Sequence, residues 1–417
     1  MRTLLLAGLL LASAPAAERK PNVIVILADD LGAECLNSYG GTSYKTPNLS
    51  ALAKSGIQFQ NCFATPLCSP SRVELMTGRY GFRTGWTQLI ESGTDEYFDP
   101  KKEKTFGSMM KEAGYATGLA GKWQLAQFRK HPNHVRDCGF DEYCCWSWFL
   151  DGKRTGRYWD PSVWQDGKER TDTEGNYGPD VFCEWVIDFI KRHKDGPFFL
   201  YYPMVLVHNP FEPTPDSAGD KKKKGGAKDF PDMVAYMDKV VGKVLATLDE
   251  LKLRENTLVL FTGDNGTTKG VPSKVGDRTV IGGKSTMLDT GSHVPLIASW
   301  PGTTPAGKVL DDLVDFSDVV PTICELTGAK PPPNVPIDGR TFAPQLRGEK
   351  GKPREWIFVQ LGNHRFARDQ RWKLHANGKL FDIVADPNEE KPVVAGVDPS
   401  DGAAARAKLE KPLAELK

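Results

Sequence analysis

The sequence predicts an α/β fold: a large, doubly wound, mainly parallel sheet with helices on both faces, and a small C-terminal antiparallel sheet. Three observations predict it. Residues 23–27 (VIVIL), 197–207 (PFFLYYPMVLV) and 258–261 (LVLF) are apolar without polar alternation, as expected of strands buried on both faces. Stretches with helical apolar spacing lie between such runs, which is the alternation of a parallel sheet. From about Pro353 the pattern shifts to short strand-like runs separated by turns. The expected division is a leader over residues 1–17, a main α/β domain over 18–350 and a small α+β subdomain over 351–417.

In chain order, MRTLLLAGLLLASAPAA reads as an export signal, with Arg2, an apolar core over residues 4–12 and a small-residue cleavage site at Ala14-Pro15-Ala16. It is too short to span a bilayer. The mature protein is therefore expected to be soluble and exported, periplasmic or secreted, with no membrane span. The first strand, residues 23–27, runs into Asp29-Asp30. In open α/β sheets ligands sit at that end of a strand. Adjacent carboxylates there repel unless a cation or hydrogen-bond donors compensate them. One of them could cap a helix instead, which leaves the other unexplained.

Residues 48–55 read as a helix after Pro47, and 57–63 as a strand leading to TPLCSPSRVELMTGRY. There Cys68 sits in a Ser/Pro turn ahead of a helix opening at residues 73–76, with Arg72 four residues on. A thiol at a helix N-terminus beside a cation has a lowered pKa and is reactive. The plainer alternative is a small buried residue. Residues 105–113 read as a helix, and 116–120 as a strand delivering Gly121-Lys122-Trp123. Residues 138–178, rich in Trp, Gly and Asp, read as an irregular functional excursion. Its aromatics Trp146, Trp148, Tyr158, Trp159 and Trp164 fit either a core or sugar-stacking platforms. Residues 180–191 read as a helix capped by Asp180, and 231–253 as a long amphipathic helix. Residues 294–300 are a further strand and 315–326 a helix. The C-terminal strands fall at 356–360, 363–367, 372–375 and 380–384, with a helix over 403–416.

With 54 basic and 53 acidic residues the net charge is +1, which gives no case for a nucleic-acid or membrane partner. The one basic run, residues 221–224, precedes two glycines and reads as a solvated loop. The eight cysteines are scattered, with no CxxC pair. Cys138 with Cys144 or Cys145 is the candidate disulfide cluster, and the spacing leaves its pairing open.

The buried strands end in the polar residues. Asp29 and Asp30 follow the first, His208 follows PFFLYYPMVLV, Asp264 and Asn265 follow TLVLF, and Lys122 lies just beyond the short ATGLA strand. In a parallel sheet these ends meet on one edge. Three carboxylates and an amide are hard oxygen donors that suit Ca²⁺, or Mg²⁺, better than zinc. Arg72, Lys122, His208 and Lys284 would add cations for a tetrahedral anion beside the metal.

These stretches resemble the type I sulfatases of the alkaline phosphatase superfamily. The similarity runs in the family's order through PNVIVILADDLG, CSPSR, GKWQL, FFLYYPMVLVHNP, FTGDNG, GGK before VPLIASWPG, and KLFDIVADPNEE. Cys68-Ser69-Pro70-Ser71-Arg72 is similar to the family's CxPxR signature, in which a formylglycine-generating enzyme oxidises the cysteine. The resemblance implies that Asp29, Asp30, Asp264 and Asn265 bind calcium together with modified Cys68. It implies that Arg72 steadies the formylglycine hydrate, that Lys122 and Lys284 bind sulfate, and that His208 or Lys284 protonates the leaving oxygen. One hydroxyl of the hydrate would attack sulfur, and loss of the other's proton would then eject sulfate. The expectation is thus an exported sulfatase, a sulfuric ester hydrolase, acting on a sulfated carbohydrate. Its rivals are a phosphate or phosphonate ester hydrolase on the same scaffold, and a catalytically weak sulfated-glycan binder.

Two departures stand out. The family motif GKWH reads GKWQ here, so Gln124 replaces a histidine that serves there as a base. An amide can orient the hydrate but takes no proton near neutral pH. His293 stands in place of an arginine before VP, a change of local packing.

Overall fold

Strand β1, Asn22–Ala28, lies at the middle of the molecule with all seven residues buried. Each fully buried Val, Leu or Ile of such a run stabilises the fold by about 1.5–3 kcal/mol. The structure is a computed structural model that describes residues 19–91, 94–217, 225–394, 396 and 399–416. The export signal and the basic run 221–224 lie outside the described residues. The main sheet continues with β2 (Ile57–Phe63), β3 (Ala116–Lys122), β4 (Glu142–Trp146), β5 (Val163–Gln165), β6 (Lys168–Glu169), β7 (Phe198–Pro203), β8 (Thr257–Gly263), β9 (His293–Ser299) and β10 (Lys308–Asp315). Its ten strands run in the order β10-β2-β9-β8-β1-β7-β3-β4-β5-β6. The centre, β8-β1-β7-β3-β4, is parallel throughout. β9 inserts antiparallel between β8 and β2, and β5 runs antiparallel to β4. Helices Gly178–Arg192 and Phe230–Glu250 pack on each other, and the first of them packs on β3.

A four-stranded antiparallel sheet follows, β11 (Ile357–Leu361), β12 (His364–Arg368), β13 (Trp372–His375) and β14 (Leu380–Asp382). Helix Ser400–Glu415 covers it through Ala405, Leu409 and Leu413, which share a core with Trp372, Leu374 and Tyr80. Ile357, Val359 and Phe366 meet Phe63 and Leu313 of the main sheet.

Several expectations change. Residues 138–178 are not wholly irregular: β4 extends the main sheet from within them, and β5 and β6 add its edge. Trp146, Trp148, Tyr158 and Trp164 are buried, so they are core residues and no sugar platform. Asp180 lies in the first turn of its helix, whose N-cap is Tyr177; its carboxylate instead accepts from Tyr236 Oη at 2.6 Å and Lys243 Nζ at 3.0 Å. The helix expected over 315–326 divides into a 3-10 turn, Phe316–Asp318, capped by Asp315, and an α-helix, Val319–Thr327. All eight cysteines are buried and free, Cys138, Cys144 and Cys145 among them.

Hydrogen bonds continue past the ends of the central strands and hold three loops together. Met204 N donates to Leu27 O (2.8 Å), Asp29 N to Leu206 O (2.8 Å) and Asp264 N to Ala28 O (2.9 Å). This lacing fixes where the strand-end residues stand.

Candidate active site

Cys68 is the first residue of helix Cys68–Thr77 and belongs to it, so the Ser/Pro turn expected ahead of the helix is its first turn. Pro70 is tolerated there because the first amides of a helix have no partner within it. All ten residues of this helix are buried. Ser71 Oγ and Thr65 Oγ1, 2.7 Å apart, pin the segment before it. Ser285 N donates to Pro66 O at 2.9 Å, which ties the Lys284 loop to the same segment.

The edge of β1 gathers the rest. One ligand atom each from Asp29, Asp30, Cys68 and His208 lie within 4.8 Å of one another. Lys122 Nζ, from the end of β3, donates to both Asp29 oxygens at 2.7 and 2.9 Å. Asp30 takes a left-handed backbone (φ 61°), and its Oδ1 accepts from Asn265 Nδ2 at 2.9 Å and Lys284 Nζ at 2.6 Å. Its Oδ2 accepts from Thr268 Oγ1 at 3.0 Å and lies 3.8 Å from His208 Nε2. Arg72 donates twice to Asp264 Oδ2, at 3.1 and 2.7 Å, and once to Lys122 O at 2.9 Å. Its guanidinium therefore anchors Asp264 and the end of β3. Gln124, two residues beyond Lys122, has φ 51° and is half-buried.

Burial raises the Cys68 thiol in spite of Lys122 and Lys284, so the lowered pKa expected from its position is not found. Burial would also raise Asp29 and Asp30, but Lys122 beside the first and Lys284 beside the second, with His208 near both, hold them low. Asp264 is pushed up to about 6 by burial and by Asp29, with Arg72 opposing. Burial lowers His208 to about 4 against the pull of Asp30 and Asp29, so its imidazole is neutral near pH 7. Burial opposes the charge on Lys284, yet Cys68 and Asp30 keep its pKa raised.

The donor set fits a hard divalent cation. Asn265 Oδ1 is buried with no hydrogen-bond partner, an acceptor that needs a positive ligand. Three carboxylates converge beside it, one of them with a raised pKa, and a cation would relieve their mutual repulsion.

Residues 21–329 match the family model described as Sulfatase. The chain belongs to the sulfatase family. It is similar to dog N-acetylgalactosamine-6-sulfatase, with 32% identity over 82% of this chain and 68% of that one. Human arylsulfatase A is 32% identical over 86% of this chain and 73% of that one. The fold matches the crystal structure of Ps i-CgsB with a TM-score of 0.81 and 27% identity, covering 95% of this chain and 93% of that one. Membership makes this sulfatase a sulfuric ester hydrolase, and among its described residues no helix is long and apolar enough to cross a membrane.

The ten residues named from the sequence fall in one neighbourhood or next to it in the chain. Sequence reasoning missed two more. Thr268 lies four residues beyond Asp264, and the FTGDNG turn hinted at it. Arg157 Nη1 reaches within 3.5 Å of Asp29 Oδ2 from the Trp-rich excursion, where no pattern announced it.

Proposed function

We propose that this sulfatase is an exported, calcium-dependent enzyme that uses a formylglycine made from Cys68 to cleave sulfate esters of a carbohydrate. The observation that carries the reading is the joint placement of Cys68, Asp29, Asp30 and His208 within 4.8 Å, ringed by Lys122, Lys284 and Arg72. Asp29, Asp30, Asp264 and Asn265 would hold Ca²⁺, with Mg²⁺ the alternative. When bound, the cation supplies charge that neutralises sulfate oxygens, and formylglycine supplies a hydrated aldehyde as nucleophile where a thiol raised by burial would be inert.

The chain's own groups do the rest. Lys122 and Lys284 bind sulfate oxygens, each already aimed by a carboxylate. Arg72 keeps Asp264 and the end of β3 in place. His208 and Lys284 would flank the leaving oxygen, and because the neutral imidazole turns its Nδ1 hydrogen to Asn209 O, Lys284 is the group that supplies the proton. Gln124 orients the nucleophile, while water or another side chain takes the proton that a histidine at that position would take. The carbohydrate reading rests on the named relatives, since the aromatic residues once available for stacking are mostly core. The dog relative is named for N-acetylgalactosamine-6-sulfate, and Ps i-CgsB has been solved with k-i-k-neocarrahexaose.

Peptide mass spectrometry tests the reading: the peptide carrying position 68 should be about 18 Da lighter than its cysteine form. An unmodified peptide from protein that still releases sulfate would overturn it.

A further inference from the structure

Arg157 is a buried cation that the strand-end residues do not account for. It lies in the loop before β5 and is only 9% exposed. Its guanidinium stacks 4.0 Å from the centroid of the Trp146 ring. Nη1 is 3.5 Å from Asp29 Oδ2 and, although buried, has no hydrogen-bond partner. A buried guanidinium is costly unless it is both paired and hydrogen-bonded. Asp29 does not complete it, because at 3.5 Å Nη1 makes no hydrogen bond to Oδ2, whose closer donor is Lys122 Nζ at 2.9 Å. The balance of charge says the same. Arg72, Lys122, Arg157 and Lys284 face Asp29, Asp30 and Asp264, with the half-buried Glu212 acting on Arg157 as well, so a bound divalent cation would leave the site with a positive surplus. Neither Asp29 nor Glu212 accepts a hydrogen bond from Arg157 Nη1.

We infer that Arg157 is a substrate-binding residue, whose guanidinium, held flat by Trp146, donates to an oxygen of the sulfate group docking beside Asp29. This rests on the sulfate-ester reading above. Planar guanidinium groups form strong charge-assisted hydrogen bonds to tetrahedral oxyanions, and stacking on an aromatic face leaves their donors free in the plane. The rival is a counter-ion that serves Asp29 and Glu212 and touches no substrate.

The test compares wild type with Arg157→Gln and Arg157→Lys. It reads KM and kcat on one sulfate ester, calorimetric binding of inorganic sulfate, and calcium content. Loss of a hydrogen bond to a charged group predicts KM and the sulfate Kd about ten-fold or more higher in Arg157→Gln. The rise should be smaller in Arg157→Lys, with calcium content unchanged in both. Sulfate affinity and KM within about two-fold of wild type in either soluble variant would overturn the inference. So would a loss of calcium with sulfate affinity intact. Failure of the sulfate-ester reading would show separately, as wild-type protein that releases no sulfate.

Discussion

Two buried ionic clusters draw on the same helix, Cys68–Thr77, and they are built to different ends. Arg72 joins the cluster at the end of β1, and Glu74 faces the second, which contains Asp315, Asp318, Tyr80 and Arg354. In the second cluster the groups satisfy one another. Arg354 Nε donates to Asp318 at 2.8 and 2.7 Å, and its Nη2 donates to Ser317 Oγ at 2.9 Å and Asp338 O at 3.0 Å. Asp315 accepts from Tyr80 Oη at 2.8 Å and Ser317 N at 3.0 Å. At the end of β1, by contrast, Asn265 Oδ1 and Arg157 Nη1 are buried without partners. Burial and charge are common to both. What separates these two clusters is unmet hydrogen-bonding capacity, which at the end of β1 falls on one acceptor and one donor that a ligand could serve.

The largest effect that separates the clusters comes from Cys68→Ala. It should lower sulfate release by about 10⁴-fold or more, the scale seen when a nucleophile is removed, with the urea midpoint close to wild type. Next, Arg354→Met should leave Asp315 and Asp318 uncompensated and destabilise the fold by about 3–5 kcal/mol in urea melts. Its KM at low temperature should stay near the wild-type value. A rise in KM matching that of the site variants would merge the two clusters into one.

Chelation comes third. Removing calcium should abolish turnover and lower stability by about 2.7 kcal/mol relative to protein in calcium at a hundred times its Kd, restored on re-addition. A melt insensitive to chelator would break the assignment of the first cluster to a cation.

The smallest effect is on pH. Burial pushes Asp315 up to about 7, with Arg354 opposing and Asp318 adding to the rise. Its folded pKa therefore lies above the unfolded value of 3.8, and the native state keeps a proton that the unfolded chain releases. That contribution is complete below about pH 4 and fades as pH rises through about 7. Asp315→Asn should flatten the decline in melts between pH 5 and pH 8. Asp264, raised to about 6, adds a fade of the same sign in calcium-free protein, and calcium should remove that part alone.

Much of this was legible in the sequence, for physical reasons. Residues 23–27 and 258–261 are buried on both faces, so their side chains had to be apolar throughout, and such runs betray themselves. The polar residues that end them are conspicuous by contrast. β10 was not seen, because KVLDDLVD is an edge strand whose first half is exposed and carries charge. β4 was not seen, because EYCCW is short and flanked by turn-forming residues. Arg157 could not have been found, since its place beside Asp29 depends on the path of an irregular loop 128 residues away in the chain. The cap expected at Asp180 failed for a local reason: the helix starts earlier, at Gly178, and frees that carboxylate for tertiary bonds.

The depth of Cys68, 2% exposed at the head of a wholly buried helix, has a consequence in time. A catalyst that converts this side chain has to grip the segment around it, and in the finished fold no such grip exists. Under the proposed chemistry, oxidation and folding compete for the same stretch of nascent chain. A molecule that folds first is locked as a thiol for as long as it stays folded. The fraction of competent protein would then report a race between two rates, and slowing the folding of this segment should raise the yield of active enzyme without any change to the finished site.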